Sequence, residues 1–506
     1  VRKRVLIRPS YKFTMWHGSE LSERYLLIIF CVLFLVLVTG FFFFGGLNFG
    51  MGSDYLVETG SGSEGFVDIS DSIVDNPSLR RYGLASVAVD GETRIFVTGY
   101  GGPNALMRWK DGKLVSDTPE NLRDPDTNAI GAAGCDIDGD GQEEIYVLTT
   151  GNQYGGKKDT RDRLYDRQDG EWVDLLNDSD VTNRYSGRSV GCHYSPEGYA
   201  FFVARYGGPM QMITKEGDEL KDLAPEYDMD KVTGGRSVVN IPQEDGPDLF
   251  VGNERGPNFY YNRTENGYEE VAEKLGVADT SLPARGTTVY DRGEDGDLDL
   301  AISNWNSENK IYRRSEDGYE DVTTEDFSIR GPARSLLAAD FNNDGQTSIY
   351  LNNIASRGKA PNKFFDSRGT QIPIGEASEP QGLGTGATVT DINQDGTLEM
   401  VLAHGETGSQ PLTMYKVPNK NSFLRIQPVW KSSAPARNSL VKVNGKAKDV
   451  DGGSGYLNQM EPWTHFGNIS LPVEATVIFP DGEKTSTQIE ERKVKIKHPE
   501  QEKNQN

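Results

Sequence analysis

DIDGDGQEE (136–144), followed at once by IYVL (145–148), is an acidic loop that runs into an apolar strand. The pattern returns as DRGEDGDLD (291–299), DFNNDGQTS (340–348) and DINQDGTLE (391–399), each again followed by β-branched and apolar residues. The first residues of the four copies lie 155, 49 and 51 positions apart. The long gap holds about three of the shorter ones, which implies a unit of about 50 residues in which two copies have lost their acids. A fixed period of that size means a solenoid, an array or a propeller.

Side-chain oxygens at alternating positions are the ligand set of calcium, a hard cation that takes about six to eight oxygens. In the first copy Asp136, Asp138 and Asp140 supply carboxylates, the Gln142 carbonyl supplies a backbone oxygen, and Glu144 closes the site. The equivalent residues are Asp291, Asp295, Asp297 and Asp299, then Asp340, Asn342, Asp344 and Gln346, then Asp391, Asn393, Asp395, Thr397 and Glu399. Gly293 leaves the third position of the second copy without a ligand, and Ser348 ends the third copy where an acid is expected, so that site should be weaker. An EF-hand needs a glutamate at the twelfth position on an exiting helix. Here that position is Val147, Ile302, Leu351 or Leu402, each inside an apolar run, so the loops lead into strands. Asp, Asn and Gly also make ordinary turns; four copies in register with the same downstream strand favour Ca2+ over that reading.

Counting outward gives seven segments, beginning near Ala85, Gly131, Gly187, Gly235, Arg285, Arg334 and Gly384. Many carry a turn before an aromatic strand, as in GGPNALMRW (101–109), and close on a strand such as GYEEVA (267–272). Short strands punctuated by Gly and Pro, with no helical run, indicate an all-β chain built as a propeller of seven blades. Blades three and four read HYSPEG (193–198) and NIPQEDG (240–246) at the loop and have lost the acids. The segment from Glu64 to Ile69 resembles a closing strand and is expected to complete blade seven, which removes an exposed edge.

Tyr25 through Ser53 carries no charge, is preceded by Arg2, Lys3, Arg4, Arg8, Lys12 and Arg24, and is followed by Asp54 and Glu58. By length and by the positive-inside rule this predicts a transmembrane helix over 25–49, with 1–24 cytoplasmic and the remainder extracellular. Residues 50–63 then form a Gly/Ser-rich tether, 64–428 the propeller, 429–490 a small β module and 491–506 a polar tail. A formal net charge of −23 disfavours nucleic acid as a partner, since that needs a basic footprint. Of three cysteines, Cys31 falls in the expected span, while Cys135 and Cys192 hold the same place in adjacent blades, as a bridge or as two buried thiols. The sequence sets no oligomeric state.

In the C-terminal part, DGGSGYLNQ (451–459), then HFG (465–467), then VIFPDG (477–482) resemble the ASPIC/UnbV domain. The upstream repeats resemble the FG-GAP or VCBS type, and the combination is similar to the cartilage acidic protein family over roughly residues 64–490. Asn458, Gly467 to Ile469 and Phe479 depart from the family pattern. The resemblance implies an extracellular calcium-binding propeller linked to adhesion or matrix contact, with a protein or glycan as ligand. No hydrolase elbow, zinc-protease or phosphate-loop motif is present. His465, between Thr464 and Phe466, is read as structural. The expected function is therefore a membrane-anchored adhesion or scaffold protein, not an enzyme. The alternatives are an anchored polysaccharide lyase or hydrolase and a component of a cell-envelope assembly.

Overall fold

The computed structural model describes residues 65–499, apart from 152–154, 178, 182 and 183. The chain is all-β. Its helices among the described residues are single turns such as Glu120–Arg123 and Ala272–Leu275, placed between strands.

The strands fall into successive antiparallel units. A representative unit runs Ala129–Cys135, Glu144–Thr149, Arg163–Gln168 and Glu171–Asp174, each strand paired to the next. The first strands of the units are Arg81–Val89, Ala129–Cys135, Gly187–Ser195, Val232–Ile241, Ala284–Tyr290, Ala333–Ala339 and Gly384–Thr390. Each of these packs against the first strand of the next unit, and Gly384–Thr390 packs against Arg81–Val89, so the inner strands make a closed, propeller-like circuit. Short bridges such as Tyr100↔Asn128, Ile354↔Leu383 and Leu79↔Gln410 tie neighbouring units together. Val67–Asp68 pairs with Thr413–Lys416, so the N-terminal strand is the outermost member of the last sheet.

Alternation along each strand places apolar side chains on both faces of a sheet, where they meet the neighbouring units. Val87 and Phe96 of one unit share a core with Ala132 and Ile145 of the next. Ile95 and Val97 likewise share one with Val401 and Met414, which join the first unit to the last.

The C-terminal module has its own core of Leu424, Ile426, Val441, Phe466, Val477 and Phe479 between two small sheets. Phe423–Val429 pairs with both Thr464–Gly467 and Lys493–Lys497. The module therefore begins before residue 429 and continues beyond 490, because its central strand and a partner lie across those sequence boundaries.

The DGGSGYLNQ segment leaves this module and enters the middle of the circuit. Ser454–Gly455 pairs with Val238 and Val239, and Asn458–Gln459 with Leu84 and Ala85, on two different units. The Gln459 amide bonds to both backbone groups of Gly134. Gly455 sits at φ 78°, and a Cβ there would lie 2.4 Å from the Thr287 backbone nitrogen. Gly455→Val is accordingly expected to cost about 2–4 kcal/mol through overpacking and left-handed strain. Proteolysis within residues 450–460 should report the displaced segment; unchanged urea unfolding would remove this account of the glycine.

Cys135 and Cys192, on adjacent inner strands, form a disulfide with Cα atoms 5.2 Å apart. It closes a loop of 57 residues. Replacing both by alanine should cost about 2–4 kcal/mol in urea unfolding, chiefly by freeing the unfolded chain. A loss near zero would mean that packing alone sets this junction.

The single-pass membrane placement is corrected. No helix among the described residues is long and apolar enough to cross a membrane. A four-residue helix such as Glu120–Arg123 rises only about 6 Å against a hydrocarbon core of about 30 Å. The segment 25–49 on which that expectation rested, with the flanks 1–24 and 50–63, lies outside the described residues.

Candidate metal centre

Each acidic loop joins the first two strands of a unit, and the register fixes where its ninth residue goes. Cys135 pairs with Glu144, Tyr290 with Asp299, Ala339 with Ser348 and Thr390 with Glu399. The ninth residue is thus the first of the exiting strand, and the loop curls back over it.

In the loop at 136, backbone donors shape the curl. Asp136 accepts from Gly139 N at 2.8 Å and Gly141 N at 3.2 Å. Asp138 accepts from Asp140 N at 3.1 Å, and Asp140 from Gln142 N at 2.8 Å. These successive turns aim the side chains at one point. Carboxylate oxygens of Asp136, Asp138, Asp140 and Glu144 lie within 4.8 Å of one another. Glu144 accepts from Ile137 N through Oε2 at 2.7 Å, while its Oε1 is buried with no hydrogen-bond partner. Burial, with Asp138 and Asp140 alongside, pushes Asp136 up to about 7. Burial, then Asp138, Asp136 and Asp166 alongside, hold Glu144 well above the usual carboxylate range. A hard cation would satisfy the unpaired oxygen and remove the repulsion, so the donor set fits calcium.

The other three loops share the curl but not the convergence. In the loop at 391, Asn393 Nδ2 donates to Asp395 at 3.1 Å and to Glu399 at 2.7 Å. In the loop at 340, Asn342 Nδ2 donates to Asp344 at 2.9 Å. In the loop at 391 an amide nitrogen therefore stands between two acids. Asp340 Oδ1, Asp391 Oδ1 and Glu399 Oε2 nevertheless remain buried and unpaired, oxygens suited to the same kind of ion. Burial pushes Asp391 to about 6 and Glu399 to about 9. In the loop at 291 both Asp299 oxygens already accept from backbone, from Arg314 N at 2.7 Å and Arg292 N at 3.2 Å. Asp295 accepts from Asp297 N at 3.2 Å, and Gly293 offers no side chain. Gln346 N and Thr397 N donate to Asp344 and Asp395 in the same way.

The C-terminal module touches all four loops, a relation that repeat spacing does not reveal. Ala447 N donates to Asp291 Oδ2 at 2.9 Å, and Gly467 N to Asp340 Oδ2 at 2.8 Å. Arg425 Nη1 donates to Asp391 Oδ2 at 2.7 Å and is paired with Glu461 as well. Ser432 Oγ lies 3.4 Å from Asp136 Oδ2. Beside that loop, Arg437 is buried against Glu143. His465 stacks on Phe423 and bonds through Nε2 to Asn343 of the loop at 340, in a supporting place.

Residues 293–351 match the FG-GAP-like repeat family model. Cartilage acidic protein 1 of Xenopus tropicalis is 36% identical over 82% of this chain and 74% of that protein. The human protein of that name is 34% identical over 84% of this chain and 73% of its own length. The mouse protein is 34% identical over 84% of this chain and 75% of its own length.

Proposed function

The chain belongs to the cartilage acidic protein family, and from that premise we propose that it is an extracellular adhesion or scaffold protein stiffened by calcium. In this reading the closed circuit is a seven-bladed propeller of FG-GAP-type repeats. The observation that carries the calcium assignment is the meeting of Asp136, Asp138, Asp140 and Glu144 around an unpaired, buried Glu144 oxygen. Calcium would supply charge neutralisation there and lock the loop against the module it contacts. The loops at 340 and 391 are proposed as further sites, and the loop at 291 as the weakest, since Asp299 is already engaged.

The Cys135–Cys192 disulfide supports an oxidising, extracellular setting. The reading includes a binding role with an extracellular protein or glycan partner, and the histidines among the described residues are given structural roles in it. His193 bonds to Asn240 and Tyr268, His404 to Glu379, His465 to Asn343 and His498 to Asp481, each a structural partner.

Calorimetric titration of chelator-treated protein tests the assignment. At least one site should fill below about 1 mM calcium, the range of extracellular modules. Glu144→Gln should remove that site and leave weaker ones. Absence of calcium-linked heat up to tenfold higher concentration would sink the proposal.

A further inference from the structure

On the side of the circuit away from the acidic loops, the inner strands line a cavity of ≈ 400 Å³ together with Tyr456 of the inserted segment. Pockets for small ligands typically measure about 300–1,000 Å³. Four successive units place an arginine at the same register: Arg188, Arg236, Arg285 and Arg334. Each stands at a β-bulge, between Gly187 and Ser189, Gly235 and Ser237, Ala284 and Thr287, and Ala333 and Leu336. Bulges re-aim a side chain, and here they turn four guanidinium groups into one space. Arg255 adds a fifth at the mouth.

The carboxylates within the same wall do not balance them. Five arginines face two glutamates, in a chain whose net charge is −23. Glu254 pairs with Arg236 and Arg285, and Glu406 with Arg334. Arg188 is buried and has no carboxylate partner among the described residues; it donates to Thr150 Oγ1 at 3.1 Å and to the Gly187 carbonyl, and its Nε is unpartnered. The Nε atoms of Arg285 and Arg334 are likewise buried without partners. Burial, then the charge of Arg236, brings both Arg188 and Arg285 down to about 10. Burial alone would raise the Tyr456 phenol, yet Arg236, Arg334, Arg188 and Arg285 hold it below its ordinary value. The site therefore carries uncompensated positive charge, which is costly unless an anion enters.

Tyr206 and Trp305 form part of the wall, with guanidinium groups of Arg236 and Arg334 at 4.7 and 4.4 Å from their ring centroids. Glu254 and Glu406, partly exposed near the mouth, can accept hydrogen bonds from hydroxyls. We propose that this cavity binds a small organic anion of the acidic-sugar class, its carboxylate or sulfate held by the arginines and its hydroxyls by the two glutamates. The site contains no histidine, and its two carboxylates are occupied by arginines, so its chemistry is recognition. It stands independently of the calcium assignment.

The test is calorimetry on the full-length protein with glucuronate, glucose 6-sulfate, glucose and inorganic sulfate at low salt. At least one acidic sugar should bind with one site per chain and Kd below about 1 mM, about tenfold or more tighter than glucose and inorganic sulfate. Which of the two binds more tightly identifies the oxyanion. Thr150→Asp, which keeps every arginine but sets a carboxylate against Arg188, should weaken binding about tenfold. Arg255→Ser, at the exposed mouth, should weaken it severalfold and serves if the first variant does not fold. No binding of either acidic sugar overturns the proposal. So does equal binding of glucose or of inorganic sulfate, or unchanged affinity in the folded variants.

Discussion

Withdrawing calcium at neutral pH is expected to destabilise the protein by several kcal/mol. A single site held at 100 times its Kd contributes about 2.7 kcal/mol, and independent sites add. Glu144→Gln should abolish the part due to the loop at 136, because its unpaired Oε1 is the oxygen left for the ion. The effect should also depend on pH in a defined direction. In the metal-free protein Asp136 titrates near 7 and Glu399 near 9, both raised mainly by burial. Their unfolded values lie near 4, so over that window the folded chain holds more protons than the unfolded one. Stability of the metal-free protein therefore falls as pH rises from about 4 towards 7 and, for Glu399, towards 9. The gap between calcium-loaded and chelated melting temperatures should widen over the same range. A gap that is absent, or constant from pH 5 to 8, would contradict metal binding by these groups.

Arg437→Ala is expected to cost about 3–5 kcal/mol, the usual penalty for breaking a buried ion pair from one side. Arg437 donates to Glu143, to the carbonyls of Asp451 and Ser86, and to that of Met460 at 3.2 Å. Its removal strands Glu143, which among the described residues keeps only the Ala88 backbone donor at 2.6 Å. The double variant Glu143→Gln/Arg437→Ala removes both charges and should recover part of the loss. Urea unfolding of the wild type, both single variants and the double variant measures the coupling. A single-variant loss under about 1 kcal/mol would show that the module is seated by its apolar contacts instead.

The acidic loops and the strands that follow them were legible because both obey local rules, alternating oxygens and the period of a strand. The outermost N-terminal strand at Val67 was legible from its likeness to the strands that close the later units. The relation between module and loops was not, because Arg425, Arg437 and Ala447 meet Asp391, Glu143 and Asp291 across long sequence separations. The destination of DGGSGYLNQ was equally hidden. Its glycines signal close backbone approach but not the strands approached, Val238–Val239 and Leu84–Ala85. The arginines at 188, 236, 285 and 334 did carry a readable sign, a small residue before each in a repeated register. Their meaning depended on knowing that those positions face a common centre. The membrane expectation rested on hydropathy in a segment outside the described residues, and no described helix supports it.

The inserted segment also constrains the order in which the molecule can be built. Val67–Asp68, ahead of the first unit in sequence, completes the last sheet, whereas residues 454–459, which follow every unit in sequence, bridge the inner strands from the middle. A nascent chain thus holds an open arc whose central backbone groups lack these partners until residues 454–459 have been made. Exposed inner edges of that kind are prone to mispairing. Residues 454–459 act as a keystone, set at the centre of the circuit rather than at its rim.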